Sequence, residues 1–242
     1  MSDENIEEVT QEEETTQEEQ FTGMEEVDED KKPLLDKNGK ILLGLIIIGL
    51  VGYGGWWAYN EFVKIPAEIA ANDKLWWPEN IMHFNEDYAT AIEGDTVGLY
   101  DGFEYILDDI GGTSAEMIAK FDLGVSYLNL GQYEDAISTL EGVDFGDEMV
   151  TSVAKGAIGD SYMQLGDIGN AIVHYNNAIN HSPNGFTCPI YLKKCALAHE
   201  ALGEWDNAIA YYERIKNEFP ESDEALSIEK YIVKAEANNT SN

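Results

Sequence analysis

Residues 121–137 read FDLGVSYLNLGQYEDAI, residues 156–172 read GAIGDSYMQLGDIGNAI, and residues 193–209 read KKCALAHEALGEWDNAI. Aligned without a gap, the three stretches carry the same chemistry at the same positions. A small residue (Gly124, Gly159, Ala196) is followed three places on by a large ring (Tyr127, Tyr162, His199). A glycine then stops the helix (Gly131, Gly166, Gly203), and an Ala-Ile pair follows (Ala136, Ala171, Ala208 and the isoleucine after each). The small residues let two helices approach closely, and the rings fill the space beside them. The glycines stand where a helix needs a left-handed residue to end. The runs Glu134-Asp135-Ala136, Gly169-Asn170-Ala171 and Asp206-Asn207-Ala208 open the second helices with cap-compatible residues. Pro183 and Pro220 close the second helices of the second and third units.

The alanines are 35 and 37 residues apart, close to the ~34-residue period of tetratricopeptide repeats. A degenerate fourth unit lies upstream, where Asp87, Tyr88, Ala91 and Ile92 repeat the pattern. Its first helix is expected over Ala67 to Phe84. The 45 residues from Ala91 to Ala136 exceed the period. The glycine-rich stretch 94–113 takes up the surplus as an elongated hairpin loop, with a helix from about Phe103 to Ile110. Residues 222–237 place Ala225, Ile228, Tyr231 and Ile232 on one helical face, fit to cap the open end of a stack.

The chain is 242 residues long, with a formal net charge of −33 that is unevenly spread. Residues 1–30 hold fourteen acidic and no basic residues. Such a stretch buries too little apolar surface to offset ordering entropy, and reads as disordered. It is either a solubilising tail or an arm for basic partners. From Ile41 to Tyr59 no residue is charged. At about 1.5 Å per residue this run covers about 28 Å, enough for a hydrocarbon core. Trp56, Trp57 and Tyr59 sit at its end, where such rings favour the membrane interface. Lys31, Lys32, Lys37 and Lys40 precede the run; after it, Lys64 and Lys74 are diluted by Glu61, Glu68 and Asp73. The positive-inside rule puts the N-terminus in the cytoplasm. The long charged leader, and bulky rings where a cleavage site needs small residues, make the run an uncleaved signal anchor.

The expected architecture is therefore all-α: one N-terminal transmembrane helix, then an α-solenoid of about four tetratricopeptide-type hairpins with a capping helix. In order, these are an acidic tail (1–36), the span (37–60), a linker with the divergent hairpin (61–115), three repeats (116–220), the cap (221–237) and a short disordered tail (238–242). Fifteen of the 47 acidic and four of the 14 basic residues precede residue 61, which leaves the remainder at net −22. That balance opposes nucleic acid and anionic lipid as partners.

The arrangement resembles the YfgM-type ancillary subunit of the bacterial Sec translocon. The likeness is carried by the span followed by Asn60-Glu61-Phe62-Val63, by Ala91-Ile92-Glu93-Gly94-Asp95, and by residues 102–113, GFEYILDDIGGT. It implies a periplasmic domain anchored in the bacterial inner membrane. It also implies partnership with SecYEG, a PpiD-type membrane-anchored chaperone and secretory clients.

In such arrays the first helices line a groove. Counting each unit from residues 117, 152 and 189 turns Ile118, Phe121, Val125, Leu128, Asn129, Val153, Asp160, Met163, Gln164, Ile190, Lys193, Leu197 and Glu200 towards it. Lys193 is the single basic residue of that set, so a clamp for a terminal carboxylate is disfavoured and an apolar segment favoured. The competing reading is that many of these residues are core between units. Cys188 and Cys195, seven apart on a helix, stand about 10 Å apart by rise, too far to bridge, and read as buried thiols. His83, His174, His181 and His199 are scattered, and no catalytic, phosphate-binding or zinc motif is present. The expectation is a non-catalytic protein without cofactor, metal or small-molecule substrate. The alternative to a translocon role is a general periplasmic scaffold for envelope assembly or cell division.

Overall fold

The computed structural model describes residues 36–146 and 148–240. The acidic stretch 1–35, with Lys31 and Lys32, and the last two residues lie outside the described residues. The described chain is all-α, with a single isolated antiparallel bridge between Gly94 and Asp101. It divides after Trp57 into two units.

The described part of the first unit is helical, within α1 (Lys37–Tyr59). Its apolar side chains are exposed, and the helix is long and apolar enough to cross a membrane. The second unit starts with the end of α1 and a π-helical turn, Asn60–Lys64. Next come α2 (Ile65–Asn85), α3 (Tyr88–Glu93) and α4 (Phe103–Asp109). These pack with α5 (Ser114–Leu130) on a core of Leu75, Met82, Ala91, Phe103, Ile106 and Ala119. The Asp87 side chain caps α3, accepting from the Thr90 amide at 3.1 Å. Helix α2 thus covers the expected first helix of the divergent unit, and α4 the expected short helix.

Three hairpins follow. They pair α5 with α6 (Tyr133–Leu140), α7 (Glu148–Gln164) with α8 (Ile168–His181), and α9 (Thr187–Ala201) with α10 (Trp205–Glu218). Gly131, Gly166 and Gly203 stand at φ 77°, 78° and 74°, in the left-handed region each turn needs. Close approach is literal: a Cβ on Gly124 would lie 2.5 Å from the Leu140 side chain, and one on Gly159 2.6 Å from the Tyr175 ring. Ala136, Ala171 and Ala208 are fully buried. Tyr162 stacks on His174 with centroids 5.2 Å apart, and His199 on Tyr211 at 5.3 Å, so the ring pair keeps its place while its members exchange.

One hairpin is shorter than the others, and the bounds of the cap differ from expectation. Helix α6 spans eight residues where α8 and α10 span fourteen. Val143 folds back into the core there and Gly146 turns the chain at φ 63°. The cap starts late, as a 3₁₀ turn (Ala225–Ser227) leading into α11 (Ile228–Asn239), and it continues past residue 237, so residues 238 and 239 are helical rather than part of a disordered tail. Ile228, Ile232 and Ala235 bury against α10 and its neighbours.

Cys188 and Cys195 both lie on α9, unpaired and buried. Burial pushes the Cys195 thiol up to about 12, so neither the nucleophilic nor the metal-binding form is available at ordinary pH.

Candidate functional site

The first helices of the three hairpins, α5, α7 and α9, flank a cavity of about 470 Å³. Leu128 and Asn129 reach it from α5, Asp160, Met163 and Gln164 from α7, and Lys194 and Leu197 from α9; Tyr133 and Tyr175 enter from the second helices. The Tyr175 ring arrives through the gap that Gly159 leaves open.

One polar cluster crosses this wall. The Lys194 ammonium sits 2.6 Å from both carboxylate oxygens of Asp160, and the Tyr175 hydroxyl donates to Asp160 Oδ1 at 2.7 Å. Burial, and then the Asp160 charge, raise the Tyr175 phenol, which stays protonated as the donor. Lys194 also lies over the rings of Tyr175 and Tyr191, at 5.8 and 5.7 Å. Both ends of the pair keep about a third of their side-chain surface exposed (34% and 32%). The cation is already neutralised, so the wall offers a partner apolar surface, two amide side chains and no spare positive charge. That suits an uncharged segment better than a terminal carboxylate.

Of the thirteen groove positions, six line the cavity: Leu128, Asn129, Asp160, Met163, Gln164 and Leu197. The other seven groove positions lie outside this cavity. Ile118 and Val125 pack on the α2–α5 core. Phe121 packs on the α6–α7 core, edge-on to Phe145 at 6.0 Å. Lys193 lies over the Tyr231 ring at 5.3 Å. Glu200 is held by Lys234 at 2.6 Å and by the Tyr212 hydroxyl at 3.1 Å. Val153 and Ile190 are exposed but outside the cavity. Three cavity residues were missed: Tyr133, Tyr175 and Lys194. Tyr133 aligns with Ile168 and Trp205, an apolar position in all three units, and was findable. Lys194 aligns with Asp122 and Ala157, both buried in the structure, so the repeat alignment assigns that position no exposed polar face.

The hairpins match known repeats. Tetratricopeptide repeat models match residues 119–143, 154–184 and 194–222. A solved structure of MamA protein is similar, 18% identical, over 70% of this chain and 78% of that one, with a TM-score of 0.50. So is a Q17M variant from Podosopora anserina described as having nearly identical TPR-like repeats. It is 13% identical over 71% of this chain and 87% of its own, with a TM-score of 0.51. At these identities the likeness bears on fold alone. Among curated proteins none matches the chain significantly. The chain thus carries tetratricopeptide-type repeats, the architecture of a scaffold for protein–protein contacts.

Proposed function

We propose that this chain is a membrane-anchored, non-catalytic interaction subunit accessory to the Sec translocon. In this reading α1 is a single span of the bacterial inner membrane, and the repeats stand in the periplasm. Their partners are SecYEG, a PpiD-type chaperone or emerging secretory chains. The observation that carries the binding role is the cavity across α5, α7 and α9, with its neutralised Asp160–Lys194 pair among Leu128, Met163 and Leu197. An uncharged, apolar stretch of a partner can cover that wall without stranding a charge. The translocon itself is supported by the resemblance of residues 60–63, 91–95 and 102–113.

Copurification of the full chain in mild detergent tests both parts. SecY is expected with the wild-type chain, at a recovery reduced several-fold by Met163→Ala with Leu197→Ala. These side chains are partly exposed, so the double variant should keep its helical circular dichroism. Undiminished SecY recovery would move binding off the cavity. Recovery of envelope-assembly or division proteins without SecY would favour the general scaffold.

A further inference from the structure

The hairpin between α3 and α4 lies outside the repeats and contributes nothing to the cavity above. It is nonetheless firmly built. The Asp95 amide donates to the Tyr100 carbonyl at 3.0 Å, and Asp95 Oδ1 accepts from the amides of Leu99 and Tyr100 at 2.7 and 3.1 Å. At its base, a Cβ on Gly102 would lie 2.2 Å from the Ile92 carbonyl oxygen, so the loop is seated hard on α3. What this frame presents is apolar. Val97 is 85% exposed and Leu99 71% exposed. Tyr100 stacks on Trp77 with centroids 5.2 Å apart, and neighbouring Trp76 is 62% exposed. Aromatic and aliphatic groups held rigidly in water mark an interaction site.

Between hairpin and helix lies a second cavity, of about 210 Å³. Trp76, Trp77, Leu99 and Tyr100 form its apolar side, with Asp73 and Asp101 beside them. Lys74 also lines it but is paired with Asp109 at 2.5 Å. Among the described residues neither Asp73 nor Asp101 takes part in an ion pair.

We propose that this patch docks a partner protein through a lysine or arginine side chain flanked by aliphatic residues. The cation lies against the rings of Trp76 and Tyr100, where aromatic faces attract it. Asp73 and Asp101 balance its charge, and the flanking aliphatics cover Val97 and Leu99. Charge complementarity favours such a partner, because residues 61–242 carry net −22. A lipid surface fits less well. Inserting Val97 and Leu99 would carry Asp95 and Asp101 into the interface and bring a strongly acidic domain against lipid phosphates. The site is independent of the proposed function, since it shares no residue with the cavity of the repeats.

The test uses the full chain in mild detergent, titrated calorimetrically with a short amidated peptide alternating leucine and arginine. Binding is expected, with affinity reduced about tenfold by Trp76→Ala and by Asp73→Asn with Asp101→Asn. Met163→Ala should leave it unchanged, and a peptide with glutamate for arginine should not bind. Trp76→Ala removes an exposed ring from a helix and keeps the fold. Equal binding to wild type and Trp76→Ala overturns the proposal, because the peptide is then held by diffuse acidity. Loss of binding in Met163→Ala overturns it in favour of the repeat cavity. A Trp76-dependent fluorescence shift on phosphatidylcholine vesicles, without peptide binding, overturns it in favour of lipid.

Discussion

Lys194 lines the cavity where its neighbour Lys193 does not, and the two differ by about 100° of helical rotation. A count from the start of each unit turns residue 193 inward. The packing of α9 against α7 brings residue 194 to Asp160 instead. Side-chain identity at 194 was legible; which flank of α9 met α7 was not, because that depends on contacts 34 residues apart. Asp122, the matching residue of the first repeat, has the opposite fate. It is buried beside His83, at 3.8 Å, and near Glu79, both on α2. The acidic groups on the other helices packed against α5 act elsewhere: Glu104 and Asp135 on Tyr127, and Asp109 on Lys74. Burial, relieved in part by His83, lifts the Asp122 carboxyl from 3.8 to about 6. The folded chain thus holds this proton more tightly than the unfolded chain. The ionised group costs stability in full above pH 6, and the cost fades as pH falls towards 4. Asp122→Asn should therefore raise stability by about 2–3 kcal/mol at pH 8 and about half as much at pH 5. Urea unfolding of the detergent-solubilised chain at the two pH values measures this. A difference that does not change with pH would show that Asp122 does not titrate between them.

At the level of elements, the repeat was legible because each hairpin is specified locally. The stop glycines act where they stand, and buried Ala171 meets the partner helix of its own hairpin at Gly159. The caps, expected from residues 134, 169 and 206, stand two residues earlier, at Gln132, Asp167 and Glu204. The early end of α6 was not legible. It depends on Val143 turning into a core completed by Ala154 and Ile158 of the next hairpin. The hairpin 94–102 was legible as an elongated hairpin loop from its surplus length and glycines, but its register was not, since that is set by the Gly94–Asp101 pairing. Ala171 tests the hairpin contact most directly. It is fully buried on α8, and its carbonyl oxygen is one of the atoms that a Cβ on Gly159 would crowd, at 3.2 Å. Ala171→Trp forces a large ring into that contact and should cost about 3 kcal/mol or more, since overpacking a filled core strains both helices. The melting temperature of the full chain should fall by several degrees. Deleting residues 1–30 should shift it far less. An unchanged melting temperature in Ala171→Trp would show that α7 and α8 are not packed at this register.

For the whole molecule, the proposed reading of α1 as a membrane span makes the distribution of charge around it a prediction about which side the repeats occupy. Before α1 the sequence supplies Lys31 and Lys32, and Lys37 and Lys40 open the helix itself. Beyond it, Lys64 and Lys74 are the cations within about fifteen residues of the helix end, two against four. Topology follows lysine and arginine near the ends of a span rather than net charge, so the fourteen acidic residues of the leader do not reverse the bias. The N-terminus is thus expected in the cytoplasm and residues 61–242 across the membrane. Protease added to the periplasmic face of spheroplasts should spare a tag at residue 2 and degrade an epitope placed after residue 242. Replacing Lys31, Lys32, Lys37 and Lys40 by glutamine removes the bias and should make a fraction of the molecules lose the tag instead. Loss of the tag from the wild-type chain would place the repeats in the cytoplasm, and the translocon role on the periplasmic side would go with it.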